Sequence, residues 1–389
     1  MSSTARSSAA MNGDQPPSKK QMTKHSSSEI SIFSLPYDLI FNILARVSKL
    51  YYPTLCLVSK KIRSVLASPE IYKNRSLLNR TESCLYLCLR YHLDDSLDPN
   101  PHWFALCRKP NRTLTDRSSR GLVLIPITSP DVRHEPSSSV VAVGSNIYKM
   151  GRHSTPSSSE VSVLDCRFNT WHSAPMMREK RSSSAVSVVD GKIYVAGGCE
   201  DLNNCVEVFD PKTQTWGNVT NPGAEIRPSS EANFESFGVE GKLYLFGDNL
   251  KYVIYDPKEA RWNPGMVMDM NDVASAVLFY HGVIGNVLFL WDEREFKWFD
   301  FEASLWKKLN GVEDLPDLDG NFKMVDVGGK MYVLWNVFGR CEERSIWCAE
   351  IALERRGDEM WGNVEWFDVV LTTHEPCGLF DADVLSVTV

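Results

Sequence analysis

The sequence predicts a mainly β fold preceded by a small α-helical segment, and three observations predict it. The first is a repeat in which an aspartate is followed six positions later by a tryptophan. The second is a set of strand and turn signals inside each repeat, and the third is an apolar stripe with helical spacing near the N-terminus. The copies of the repeat, whose tryptophans lie 45, 46 and 44 residues apart, are Asp165 and Trp171, Asp210 and Trp216, Asp256 and Trp262, and Asp300 and Trp306.

Each repeat carries the pattern of four short strands. In the second repeat, two alternating apolar runs flank a turn at residues 190–192, a third run ends at Asp210, and a fourth opens at Trp216. Runs in which apolar and polar residues alternate, bounded by Gly, Pro, Asp and Asn, indicate antiparallel strands joined by tight turns. A unit of this size cannot bury its own apolar face, so neighbouring repeats must pack together. Four antiparallel strands per repeat are typical of a β-propeller blade.

The number of blades follows from the second strand of each unit. Its aromatic or aliphatic residue recurs five times, at Tyr148, Tyr194, Tyr244, Leu288 and Tyr332. Four further strand-like runs lie near the two ends, at residues 85–89, 103–106, 122–125 and 384–389. A blade assembled from both ends would close the ring and leave no unpaired edge. The sequence therefore favours six blades.

The repeats resemble the kelch repeat over residues 138–371. The second unit is the most similar, with its paired Gly197 and Gly198, Tyr194 and Trp216. The double glycine is reduced to one glycine in the first and third units and is absent from the fourth and fifth. The resemblance implies a kelch-like β-propeller.

The segment upstream of the repeats has helical spacing. Leu35, Leu39, Ile43 and Val47 recur every four residues, which predicts a helix with one apolar face. A second helix is expected after Pro53, with Leu55, Ile62 and Leu66 in its internal core, and a third is expected to open at residues 68–70. Three short helices bury little surface by themselves, so an uncovered apolar face on them indicates a partner.

The order and spacing of these helical residues resemble an F-box. The resemblance implies that this segment docks on a Skp adaptor and is connected through it to a cullin. The residues that would contact the adaptor are Leu35, Pro36, Leu39, Ile43, Leu44, Val47, Leu57, Val58 and Ser59.

A client-binding face is expected on the propeller. In a four-stranded blade, the loops after strands two and four share one face of the ring, and these loops are the longer and more varied ones here. Charged and aromatic side chains in such loops suit a protein client, because they supply directional hydrogen bonds and anchoring area. The candidates are Arg152, Arg178, Arg181, Asp201, Arg227, Asn249, Trp335 and Arg340.

Other function classes find little support. The ten cysteines contain no pair at zinc-binding spacing, and neither a metal site, a cofactor nor a catalytic residue is predicted. A net charge of −7 argues against a nucleic-acid partner. Residues 273–291 carry no Asp, Glu, Lys or Arg, but they fall in register with two strands of the fourth unit, so we expect buried strands and no membrane span. Reduced thiols are expected in a nuclear or cytoplasmic, that is intracellular, protein.

The domain organisation combines these parts. We expect a disordered tail at residues 1–29, an F-box helical domain at 30–80 and the propeller at 81–389. An F-box followed by a kelch-like ring resembles the plant F-box/kelch family. That resemblance implies a non-catalytic, substrate-recognition subunit of a Skp-cullin-F-box ubiquitin ligase, which acts by bringing a client near the conjugation machinery. The alternatives are an enzyme on a kelch scaffold, or a scaffold that binds the adaptor without delivering a client.

Overall fold

The computed structural model describes residues 32–89, 92–93, 96–97, 102–109, 121–127, 139–151, 157–200, 205–222, 235–246, 252–265, 281–292, 294–316, 318, 322–339, 343–374, 379 and 382–389. The predicted tail at residues 1–29 lies outside this set. The chain divides into a short N-terminal unit that ends at Ile40 and a compact unit from Phe41 to Val389.

The helices of the described chain precede all of its strands. They are α1 (Tyr37–Ala45), α2 (Tyr52–Val58), α3 (Lys60–Leu66) and α4 (Pro69–Leu77), with short 3-10 turns at Ile32–Ser34 and Lys49–Tyr51. The prediction of three helices is wrong at the second one, which is divided into α2 and α3. Ser59 separates them, because its backbone is extended (φ −161°, ψ 156°) and its hydroxyl accepts a 3.1 Å hydrogen bond from the N–H of Ile62. Such an N-cap stabilises a helix start by about 1 kcal/mol.

The interior of the helical segment contains two of its three expected residues. Ile62 and Leu66 are buried, together with Ile71 of α4, whereas Leu55 is only partly buried. Leu44 of α1 and Tyr52 of α2 are buried as well, so all four helices contribute to this interior.

Strands make up most of the remaining described chain. They are β1 (Ser83–Leu89), β2 (His92–Leu93), β3 (Ser96–Leu97), β4 (His102–Arg108), β5 (Leu122–Pro126), β6 (Ser139–Val143), β7 (Asn146–Met150), β8 (Val161–Asp165), β9 (Thr170–Ser173), β10 (Ala185–Val189), β11 (Lys192–Ala196), β12 (Val206–Asp210), β13 (Thr215–Asn218), β14 (Glu235–Val239), β15 (Lys242–Phe246), β16 (Tyr252–Asp256), β17 (Arg261–Pro264), β18 (His281–Ile284), β19 (Val287–Asp292), β20 (Glu295–Asp300), β21 (Leu305–Asn310), β22 (Phe322–Val327), β23 (Lys330–Phe338), β24 (Arg344–Arg356), β25 (Glu359–Thr373) and β26 (Asp383–Thr388).

Antiparallel pairing groups these strands mostly in fours. Strands β6–β9, β10–β13 and β14–β17 each form a sheet in chain order, which confirms the four-strand pattern of the repeats. Strands β18–β21 and β22–β25 are joined in one eight-stranded sheet, because β21 pairs in parallel with β25 at Leu309 opposite Met360. The sequence did not predict this link, which depends on the unusual length of β24 and β25, 13 and 15 residues.

The two ends of the strand region meet in one sheet. Strand β26 pairs with β1 from Ser83 opposite Thr388 to Cys88 opposite Asp383, and β4 and β5 complete the sheet. This confirms the prediction that one unit is assembled from both ends. Strands β6, β10, β14, β18, β22 and β26 are neighbours in that order, and β26 also lies beside β6.

Glycines allow these neighbouring strands to approach closely. A Cβ atom on Gly238 of β14 would lie 2.1 Å from the carbonyl oxygen of Val188 in β10. Apolar side chains fill the space between successive sheets, as where the rings of Tyr194 and Tyr255 lie 6.0 Å apart. The core of the β region therefore lies between the sheets, and each sheet depends on its neighbour.

The repeated aspartate organises the turn between the third and fourth strand of a sheet. In each copy, its Oδ1 accepts a hydrogen bond from the N–H two residues later, at 2.9 Å from Lys212 to Asp210 and from Lys258 to Asp256. The fourth residue after each aspartate is left-handed, with φ of 55°, 58°, 51° and 53° at Asn169, Gln214, Ala260 and Ser304. The aspartate thus satisfies the backbone of a turn that reverses the chain.

In the second and third copies, the repeated tryptophan connects neighbouring sheets, whereas the buried indole N–H of Trp306 in the fourth copy has no described acceptor. The indole N–H of Trp216 donates to the carbonyl oxygen of Pro175 at 2.9 Å, and that of Trp262 donates to the carbonyl oxygen of Thr220 at 2.5 Å. Each acceptor lies just after the last strand of the preceding sheet. The aspartate of the repeat therefore organises a turn in every copy, and the tryptophan links two sheets in the second and third copies.

The uncharged stretch forms strands where it is described. From His281 onward it belongs to β18 and β19, as predicted, and residues 273–280 lie outside the described chain. No helix within the described ranges is long and apolar enough to cross a membrane.

Candidate functional site

The N-terminal unit presents three of the predicted adaptor-binding residues at its surface. Leu35, Pro36 and Leu39 are all exposed, Leu39 by 51%. Pro36 starts the first turn of α1, where its carbonyl oxygen accepts the N–H of Leu39 at 3.0 Å. The start of α1 thus holds large apolar side chains in a helical geometry in which they are exposed to solvent.

The unit from Phe41 to Val389 exposes three more of the predicted adaptor-binding residues. Ile43 is exposed at the end of α1, and Leu57 and Val58 at the end of α2 are 71% and 66% exposed. Val47 and Ser59 are partly buried, and the Ser59 hydroxyl is already used as the cap of α3.

Leu44 requires a correction. It was predicted in the adaptor groove, but it is only 4% exposed, and its carbonyl oxygen accepts a bond from the hydroxyl of Tyr52 at 3.4 Å. The side chain is therefore covered by the chain's own residues, and a side chain so enclosed cannot fill the groove of an adaptor.

A buried arginine holds this helical arrangement. One guanidinium nitrogen of Arg75 donates to the carbonyl oxygen of Val47 at 2.7 Å and to the hydroxyl of Tyr52 at 3.2 Å, and another pairs with Glu82 at 2.9 Å. Arg75 thus ties the end of α1 and the start of α2 to the residues before β1. Sequence reasoning missed it, although an arginine one turn after the apolar Ile71 of α4 was the available signal.

Lys49 and Tyr72 fasten the helices to the turn after β8. The ammonium of Lys49 donates to the carbonyl oxygen of Cys166 and, at 3.2 Å, to the hydroxyl of Tyr86. The hydroxyl of Tyr72 donates to the carbonyl oxygen of Arg167 at 2.6 Å. Burial lowers the pKa of Lys49 from its usual value.

Most of the predicted client-binding residues lie outside the described chain, and for them the prediction stays a prediction. They are Arg152, Asp201, Arg227, Asn249 and Arg340. Arg178 is described, and its guanidinium donates to the side-chain oxygen of Asn218, while its backbone N–H donates to Glu207 at 2.9 Å.

The prediction that Arg181 contacts a client is wrong, because its side chain lies inside the protein. Arg181 is fully buried, pairs with the carboxylate of Glu207 at 2.9 Å, and donates to the carbonyl oxygens of Gly197 and Cys205 at 2.6 and 3.0 Å. Its guanidinium joins the segment before β10 to the ends of β11 and β12. A side chain so enclosed cannot reach a client.

The prediction that Trp335 contacts a client is wrong for the same reason. Trp335 is 4% exposed in β23, and its ring stacks on Trp347 with centroids 6.0 Å apart. The aromatic side chain that does reach the surface in this hairpin is Phe338, with the guanidinium of Arg344 5.4 Å from its ring centroid. Strand β23 runs further than the sequence pattern suggested, so Trp335 lies inside the sheet and Phe338 at its tip.

A metal site and a reactive thiol each place requirements on the described part of the chain. No group of three His, Cys, Asp or Glu side chains there is placed to hold a metal ion. Burial raises the pKa of the Cys84 thiol to about 12 and that of Cys107 to about 11, so both are protonated at neutral pH.

Comparisons with known proteins match both parts of the chain. Residues 32–74 match the F-box domain, and residues 103–371 match the FKB95, Kelch-repeats domain. An F-box/kelch-repeat protein of Arabidopsis thaliana is 50% identical over 415 residues, which cover 100% of this chain and 99% of the relative. A putative F-box/kelch-repeat protein of the same plant is 49% identical over 411 residues, covering 97% and 100%.

Proposed function

The chain belongs to the F-box/kelch-repeat protein family, and from this premise we propose that it is the substrate-recognition subunit of a Skp-cullin-F-box ubiquitin ligase. In this proposal the F-box segment docks on a Skp-type adaptor, the adaptor connects it to a cullin, and the β region binds a protein client. The chain supplies no catalytic group and accelerates transfer by proximity.

One observation carries the docking half of the proposal. Leu57 and Val58 are adjacent, large, apolar and mostly exposed at the end of α2, within the residues that match the F-box domain. Burying such side chains against a partner yields roughly 1.5–3 kcal/mol each. Their exposure costs free energy unless a partner covers them, and a Skp-type adaptor is the partner that the family implies.

The client half of the proposal rests on the kelch region. We propose a six-bladed ring at residues 81–389, with the F-box at residues 30–80 and a disordered tail at residues 1–29. Six sets of four strands and the cyclic order of their first strands support it. The free, mostly buried thiols of the described chain agree with a nuclear or cytoplasmic location, and the acidic net charge of −7 with a protein client in place of nucleic acid.

The adaptor contact is tested with a double variant, Leu57→Ser with Val58→Ser. Its affinity for a purified Skp-type adaptor, measured by calorimetry, should fall at least about tenfold, since two buried apolar anchors are lost. Leu77→Ser is the matched control, because Leu77 of α4 is also 71% exposed but lies outside the predicted contact set. Equal binding by wild type and the double variant, or no binding by wild type, would contradict the proposal.

Ubiquitin transfer separates a ligase subunit from a scaffold. Proteins captured by the full chain are incubated with adaptor, cullin, activating and conjugating enzymes and ubiquitin. Conjugates that form with wild type and are lost with the Leu57→Ser, Val58→Ser variant support the ligase function. Adaptor binding without any conjugation would identify a non-ligase scaffold.

A further inference from the structure

A cavity of about 360 Å³ lies between the helices and the strands of the Phe41–Val389 unit. Leu66 of α3 contributes to its helical wall, and Leu106 of β4 and Ile125 of β5 contribute to its strand wall. The turn after β8 forms a further side with Phe168 and Asn169. Its volume falls within the range of small-molecule sites, which are mostly apolar with a few placed polar groups.

The charges of this cavity all have one sign. Lys49, Arg63 and Arg167 line it, and no acidic residue is among its described lining residues. Arg167 is neutralised by Asp165 at 2.6 Å, and Arg63 donates twice to the carbonyl oxygen of Cys56, at 3.2 and 3.1 Å. The cavity is therefore an electropositive, largely apolar space.

Among the described residues of the cavity, Lys49 and Arg63 lack a paired carboxylate, and Lys49 is partly buried whereas Arg63 is exposed. The ammonium of Lys49 donates to two neutral oxygens, the hydroxyl of Tyr86 and the carbonyl of Cys166. An ammonium has three donors, so one remains. The nearby Cys84 and Tyr86 do not provide a negative charge, because burial raises the pKa of both. The rings of Tyr72 and Tyr86 lie 5.9 and 5.8 Å from this ammonium, but neither carries a charge. A partly buried charge without an ionic partner is costly, and a bound anion would offset that cost.

Asn169 provides a second, independent indication of a ligand. Its side-chain Oδ1 is buried, and no described group donates a hydrogen bond to it. Asn169 holds the left-handed backbone position of its turn, φ 55°, and is one of the residues that line the cavity. An amide in this place offers a bond to a polar group on a ligand.

We propose that this cavity binds a small apolar molecule carrying one anionic group, such as an aromatic carboxylate or sulfonate. The anion pairs with the ammonium of Lys49, the apolar skeleton lies against Leu66, Leu106 and Ile125, and Asn169 bonds a polar substituent. Because its walls come from the helices and from the strands, the ligand bridges the adaptor-docking segment and the sheets.

A pair of matched fluorescent probes tests this proposal. Anilinonaphthalene sulfonate is an apolar anion, and phenylnaphthylamine has the same skeleton without the sulfonate. Both are titrated into the purified full chain, with fluorescence as the readout. Wild type should bind the sulfonate more tightly than the neutral probe, and Lys49→Met should weaken the sulfonate about tenfold while leaving the neutral probe unchanged.

Two further variants keep the test decisive. Ala105→Phe adds bulk at a lining residue of β4 and should weaken both probes, whether or not Lys49→Met folds. Lys258→Met removes one charge from an exposed turn and should bind both probes as wild type does. The proposal is overturned if wild type shows no preference for the sulfonate. The proposal is also overturned if Ala105→Phe, or a folded Lys49→Met, binds the sulfonate as tightly as wild type does. That result would be expected if the dye bound to the exposed apolar residues of α2 and not in the cavity.

Discussion

Among the residues that the structure describes, two arginines, Arg75 and Arg181, are buried, although arginine usually lies at the surface. Each is paired with one carboxylate and donates to backbone carbonyl oxygens, so its charge and its donors are largely used. Breaking such a buried pair from one side typically costs about 3–5 kcal/mol, because the remaining charge is left without a partner. At the residue scale, these side chains position elements and do not contact clients.

Glu235 yields a pH prediction at the same scale. Burial raises its pKa from 4.5 to about 7, although the charge of Lys323 acts in the opposite direction. A carboxyl group with a raised folded-state pKa binds its proton more tightly when folded, so stability falls as pH rises from 4.5 through 7. Replacing Glu235 by Gln should therefore increase the free energy of unfolding by on the order of 2 kcal/mol at pH 8 and leave it unchanged near pH 4.

Denaturant unfolding at both pH values measures this difference. Glu302→Gln, in an exposed turn, is the control and should change stability little at either pH. A gain for Glu235→Gln that is equal at both pH values would rule out the titration of Glu235 as its cause.

At the element scale, the feature that recurs in each copy of the repeat is the turn between its third and fourth strands. Ala260 occupies the left-handed position of the third copy at φ 51°, where a Cβ atom is unfavourable and glycine is not. Ala260→Gly should therefore stabilise the protein by about 0.5–1 kcal/mol, since the relief of strain outweighs the extra freedom of glycine in the unfolded chain. Thermal unfolding measures the gain.

Lys258→Gly is the matched control for this turn. Lys258 is an exposed residue of the same turn, outside the left-handed set, and the same added freedom should make its replacement neutral or destabilising. If Ala260→Gly were as destabilising as the control, the proposed strain at Ala260 would be absent.

At the scale of the whole molecule, the pairing of β26 with β1 joins the two ends of the strand region in one sheet. Val387 of β26 is buried opposite Cys84 of β1, whereas the next residue, Thr388, is exposed. Val387→Asp should destabilise the protein by at least about 3 kcal/mol, because an unpaired charge would enter the sheet that joins both ends of the strand region. Thr388→Asp should change stability by less than about 0.5 kcal/mol.

Chemical denaturation of the two variants side by side checks this expectation. Comparable stability of both would show that the β region does not depend on the pairing of β26 with β1. Loss of cooperativity in Val387→Asp alone would show that closure is required for the sheets to unfold together.

The sequence by itself determined the four-strand repeat, the turn aspartates, the assembly of one sheet from both ends, and the F-box segment. The repeat, its turns and the F-box segment are local or periodic patterns, and the spacing of Asp210 and Trp216 is one example. The sheet from both ends was predicted in another way, by counting the strands needed to complete a last unit. Only the tertiary structure decided that Arg181 and Trp335 are internal, that Leu44 faces inward, and that Lys49 lines a cavity. Burial of a side chain depends on which distant strands and helices meet around it, and a single sequence with no partner information does not encode that pairing in any local pattern.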